Sequence, residues 1–142
     1  VEAVFFAWTD ADGDGLSDAE ESTGVDNVLT PLNPNGYLTN PGLADTDGDG
    51  MTDGQESVAG TNPGDPLSRF ELVEAVAPAP AGLVLRWSSA TDRVYQVWSA
   101  TNLLSAWLLE ATNVAATPPV NVYTLSPPSS VSDFYAVEVD VP

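Results

Sequence analysis

From residue 69 onward, apolar and polar positions alternate in short runs broken by turn residues. The alternation is plain in Val94-Tyr95-Gln96-Val97-Trp98 and in Phe134-Tyr135-Ala136-Val137-Glu138, the period of a strand with one face buried. Strands are predicted near residues 69–76, 83–87, 94–99, 107–111, 120–125 and 133–139. Pro78-Ala79-Pro80 with Gly82, Thr91-Asp92, Thr101-Asn102, Pro118-Pro119 and Pro127-Pro128 punctuate them. No stretch in this half has a helical period. Residues 69–142 therefore read as an antiparallel β-sandwich.

The first half has a different grain. Residues 1–9, VEAVFFAWT, are apolar on both faces of a predicted strand. Such a strand can fold back onto its own sandwich or pack beneath the segment that follows. It can also be donated to a neighbouring subunit, a head-to-tail contact that propagates into filaments. Residues 10–66 are rich in Asp, Gly, Asn and Pro and contain an internal repeat. DADGDG at 10–15 returns as DTDGDG at 45–50, and a TNPG tetrapeptide follows each copy, at 39–42 and 61–64. In the first copy the tetrapeptide is delayed by an insertion, residues 25–38, where Pro31, Pro34 and Asn35-Gly36 predict an irregular surface loop. Only short helices are predicted after the acidic cores, around 19–23 and 54–59.

Each acidic core opens a twelve-residue loop with oxygen ligands spaced for calcium. The ion takes six to eight oxygens, and one loop supplies them from positions 1, 3, 5, 7, 9 and 12. The first loop offers Asp10, Asp12, Asp14, the Leu16 carbonyl, Asp18 and Glu21. The second offers Asp45, Asp47, Asp49, the Met51 carbonyl, Asp53 and Glu56. Position 6, where the chain turns sharply, is glycine in both, Gly15 and Gly50. A merely solvated acidic turn needs neither that glycine nor the closing glutamate, and five carboxylates in one loop repel one another without a cation. Magnesium suits the set less well, and transition metals favour the histidine or thiolate that the chain lacks. These are EF-hand-like loops without the flanking helices of an EF-hand, so a stiffening role is expected for two or more calcium ions.

Charge agrees. The chain carries 21 acids against three arginines, with no lysine or histidine, for a net charge of −18. Thirteen of the acids fall between Asp10 and Asp65, as dedicated cation sites require. This balance argues against nucleic acid and anionic membrane surfaces as partners. No apolar run approaches the ~20 residues of a membrane span. The start at Val1 without a leader reads as a processed mature chain. Extracellular modules tolerate weak calcium sites, so secretion or surface display is expected.

DTDGDGMTDGQE followed by GTNPGDP resembles the bacterial thrombospondin type 3-like calcium repeat of secreted and surface proteins. The resemblance implies that the aspartates of the core and the following glutamate bind calcium. It also makes Asn40, Asn62 and Asp65 secondary candidates. The insertion at 25–38 departs from the family spacing, and with it the expectation of an ion shared between repeats. GLVLRWSSATDRVYQVWSATNLLSAW and the later DFYAVEV are similar to the fibronectin type III-like, Ig-type sandwich that closes many secreted bacterial proteins.

The expected architecture is mainly β: a strand at 1–9, a loop-rich calcium module at 10–66, and a sandwich at 69–142. Trp87, Trp98 and Trp107 suit a sandwich core better than a carbohydrate-stacking platform. Without His or Cys the common nucleophile–base pairs are unavailable, and no catalysis is expected. The expected function is a calcium-stabilised extracellular structural module, forming a homo-oligomer or polymer through its N-terminal strand. The alternative is an accessory or targeting domain of a larger secreted enzyme, binding glycan or protein.

Overall fold

A computed structural model describes residues 8–25, 36–76, 82–125 and 134–141. Residues 1–7 of the predicted N-terminal strand, most of the 25–38 insertion, and the turns at Pro78-Ala79-Pro80 and Pro127-Pro128 lie outside them. Trp8 and Thr9 belong to no strand, and the Trp8 ring is 56% exposed. The chain divides into two compact units, Val1–Arg69 and Phe70–Pro142.

The described residues of the first unit are mostly loop, with two short helices, α1 (Asp18–Thr23) and α2 (Asp53–Ala59). Helices of six and seven residues are marginal alone, and both are held by local chemistry. Ser17 with Glu20 forms a capping box on α1, and Thr52 with Gln55 forms one on α2. Gly24 and Gly60 end them in the left-handed conformation, each returning its amide to a carbonyl of the helix. The base of the insertion is closed where Gly24 and Gly36 meet backbone to backbone, with no room for a side chain at Gly24. The Thr39 amide then donates to the Glu21 carbonyl at 3.1 Å, so the chain re-enters the repeat where it left.

Among the described residues the second unit holds six strands: β1 (Leu72–Val76), β2 (Leu83–Ser88), β3 (Val94–Ala100), β4 (Leu108–Ala115), β5 (Val120–Leu125) and β6 (Phe134–Asp140). They form two antiparallel three-stranded sheets, ordered β1-β2-β5 and β4-β3-β6. Leu85, Trp87 and Leu125 from the first sheet and Tyr95 and Val97 from the second make one buried core. Trp87 meets Tyr95 edge-on at 5.5 Å, and Phe70 stacks on the same tyrosine at 6.0 Å. The Tyr95 hydroxyl accepts from the Ala90 amide and donates to Ser89 Oγ, which ties down the β2–β3 turn.

Two expectations are corrected here. β4 extends to Ala115 rather than ending near 111, because Asn113 takes a positive φ of 54° and pairing resumes at Tyr95–Val114. Of the three tryptophans expected in the core, only Trp87 is there. Tyr95, Val97 and Ser99 are the buried positions of the alternation, so Trp98 between the last two falls on the outer face, and Trp107 precedes an exposed edge strand.

Candidate metal centre

Each acidic loop is folded by its own carboxylates before any ion is considered. Asp10 accepts from Gly13 N (2.7 Å) and Gly15 N (3.2 Å), and Asp45 accepts likewise from Gly48 N (2.7 Å) and Gly50 N (3.0 Å). Asp12 and Asp47 each accept from the amide two residues on, and Asp14 and Asp49 do the same. These Asx-type bonds curl the backbone inward and draw the three carboxylates of each loop together. Gly15 and Gly50 both sit at φ 102°, with nothing near the place a Cβ would occupy. Glycine is required there by backbone conformation rather than by space.

The result is two carboxylate triads, Asp10–Asp12–Asp14 and Asp45–Asp47–Asp49, each with one oxygen per residue within 4.8 Å of the others. Glu21 and Glu56 lie close enough to the triads to feel the charges of Asp12 and Asp14 and of Asp47 and Asp49, respectively. Both side chains are fully buried, and in each Oε1 accepts a threonine hydroxyl while Oε2 has no hydrogen-bond partner among the described residues. The same is true of Asp12 Oδ2, Asp47 Oδ2 and Asp49 Oδ2. Unpartnered carboxylate oxygens shut away from water are costly. A hard cation with oxygen ligands fits this donor set.

Electrostatics point the same way. Burial, reinforced by the charges of Asp12, Asp14 and Asp53 and opposed by the Thr39 bond, pushes the Glu21 carboxyl up to about 7. Burial does the same to Glu56, again to about 7, with Asp47, Asp49 and Asp53 adding to it and Thr61 opposing. Burial also raises Asp14 and Asp53.

The remaining candidates serve the backbone. Asp18 accepts from Ala11 N (2.8 Å), and Asp53 accepts from Thr46 N (2.9 Å) and Thr46 Oγ1 (2.7 Å), so position 9 ties back to position 2 in both loops. Leu16 at position 7 is buried, and Met51 is half-buried. Asn40 and Asn62 fold their own turns by accepting from Gly42 N and Gly64 N, and Asp65 accepts from Leu67 N. Sequence reasoning missed Thr39 and Thr61, which position the glutamates. The signal was available in the repeated TNPG, whose threonine comes directly after α2 and Gly60 in the second copy and after the insertion in the first.

On the sheet unit, Trp98, Trp107, Ala136, Val137 and Glu138 line a groove of about 340 Å³. Trp98 Nε1 donates to Glu138 Oε2 at 3.0 Å, which fixes the indole.

No helix among the described residues is long and apolar enough to cross a membrane. No curated protein and no solved structure gives a significant match to this chain. The repeated loops do: residues 10–23 and 45–66, the segments that carry both triads and both buried glutamates, match the bacterial TSP3 repeat, a calcium-binding structural module of extracellular proteins.

Proposed function

We propose that this chain is a non-catalytic, calcium-stabilised structural module of the extracellular space. Each loop takes one calcium ion through its triad, its position-7 carbonyl (Leu16 or Met51) and its buried glutamate, with Asp18 and Asp53 closing the loops. The observation that carries this reading is the set of buried carboxylate oxygens without a hydrogen-bond partner, two of them at equivalent places in both loops (Asp12 with Asp47, Glu21 with Glu56) and a fifth at Asp49. Titration calorimetry tests it. Two ions per chain are expected, and Asp14→Ala with Asp49→Ala should abolish binding; unchanged stoichiometry in the double variant would sink the ligand assignment.

The apolar run at 1–8 supports assembly of this module into a homo-oligomer or filament by strand donation. Sedimentation in calcium, with and without residues 1–8, tests this. A strictly monomeric intact chain would count decisively against it.

A second reading, an accessory domain that docks a glycan or protein, is supported by the outward-facing Trp98 and Trp107 and the groove they line. Glycan-array binding that disappears in Trp107→Ala would favour it.

A further inference from the structure

The two loops are 35 residues apart in sequence and separated by an insertion, yet they touch. Asp14 Oδ1 accepts from its own loop at Leu16 N (2.8 Å), but Asp14 Oδ2 accepts from Gly54 N of α2, also at 2.8 Å. Its counterpart in the second loop, Asp49, makes only the local bond to Met51 N and leaves Oδ2 buried and unpartnered. Gly54 N–H is one of the first-turn amides of α2 that no helical carbonyl can satisfy. The Thr52 cap serves Gln55 N, so the next open donor is met from the other repeat.

The residue at this contact is fitted to it. Gly54 is buried, and a Cβ there would overlap the Asp14 carbonyl oxygen. The equivalent position in the first repeat is Ala19, which is exposed and carries its methyl freely. Two residues beyond Gly54 stands Glu56, the buried carboxylate that completes the second triad. A candidate ligand of the first ion thus holds the start of the short helix that presents a candidate ligand of the second.

We infer that the two loops fill as a coupled pair, linked by the Asp14–Gly54 contact, so that calcium in one loop raises the affinity of the other. The inference rests on the calcium reading above. An ion that fixes Asp14 in the first loop fixes the beginning of α2 and with it Glu56. By linkage the second ion favours the first by the same factor. The insertion does not break the coupling, because Gly24 and Gly36 close its base.

The test is a calcium titration of the ¹⁵N-labelled full chain, followed at the Gly15 and Gly50 amides, one reporter per loop. In the intact chain both are expected to titrate together with a Hill coefficient above 1. Glu56→Gln, which weakens only the second site directly, should move the Gly15 midpoint to calcium concentrations at least about 5-fold higher. Gly54→Ala removes no ligand and should shift the Gly15 midpoint in the same direction, while Ala19→Gly should not. Circular dichroism in saturating calcium checks that Gly54→Ala is folded; if it is not, the Glu56→Gln arm still decides whether the loops are coupled. A Gly15 midpoint unmoved by Glu56→Gln would overturn the coupling. A shift in Glu56→Gln without one in a folded Gly54→Ala would overturn the assigned contact. If neither amide of the intact chain responds to calcium, the calcium reading itself fails.

Discussion

Thr61 grips Glu56 twice, its amide donating to the Glu56 carbonyl at 3.0 Å and its hydroxyl to Glu56 Oε1 at 2.9 Å. Thr39 holds Glu21 in the same two ways, at 3.1 Å each. The hydroxyl takes Oε1 and leaves Oε2 of each buried carboxylate without a hydrogen-bond partner among the described residues, the atom the proposed calcium site would use. Groups that orient a ligand without touching the metal are worth about 10–100-fold in affinity. Thr61→Val, which keeps the shape and removes the hydroxyl, is expected to weaken one of two sites by about 10-fold. Calorimetry should show the stoichiometry unchanged and one affinity reduced. Loss of a whole site would instead mean that the hydroxyl is needed to fold the loop.

Calcium removal should act on the first unit far more than on the second. The first unit has short capped helices and few buried apolar side chains, Leu16, Ala59 and Pro63 among the described residues. A ligand at 100 times its Kd stabilises the state that binds it by about 2.7 kcal/mol per site. Hydrogen exchange in chelator should therefore show the amides of residues 10–66 losing protection while those of β2 and β3 keep it. Equal loss in both units would show that calcium holds the entire chain rather than the repeats.

The loops were legible in sequence because a calcium loop is a local object. Its ligands, its turn glycines and its closing glutamate all lie within twelve residues, and the carboxylate-to-amide bonds that shape each loop from within span seven residues or fewer. The Asp14–Gly54 bond spans forty, and nothing in either repeat alone announces it, apart from the glycine that replaces Ala19 in the second copy. The strands were legible from alternation, which says which residues share a face but not which face is covered. That is why Trp98 was misplaced. Its neighbours Tyr95 and Val97 form the core, and the same period that identified β3 sends Trp98 and Gln96 to the outside.

The two faces of the sheets should differ sharply under substitution. Trp87 is fully buried against Tyr95, and Trp→Ala changes in cores cost about 3–5 kcal/mol. Trp98 keeps one bond, to Glu138, on a partly open face, so Trp98→Ala should cost about 1 kcal/mol, the centre of the range for single substitutions. Urea unfolding of the second unit, followed by far-ultraviolet circular dichroism, measures both. Equal losses would show that the outer face of β3 is packed as tightly as the core.

The buried glutamates give the module a pH dependence of definite sign. Without metal, Glu21 and Glu56 titrate near 7 in the folded chain and near 4.5, their ordinary value, when unfolded. Between those values the folded state binds more protons than the unfolded one, so these groups make the metal-free unit less stable as pH rises from 4.5 to 7. Asp14 and Asp53, also raised by burial, add to the same trend. Calcium inverts the slope, because it binds the carboxylate form and must displace the proton. Affinity should therefore climb as pH rises through 7 and level off above it. Calorimetry at pH 6.5 in buffers of different ionisation heat should record proton release as each site fills, between a half and one proton per glutamate at about this pH. Calcium binding with no proton released at that pH would mean that Glu21 and Glu56 are already ionised, and that the crowding of charge around them is relieved by something other than the bound ion.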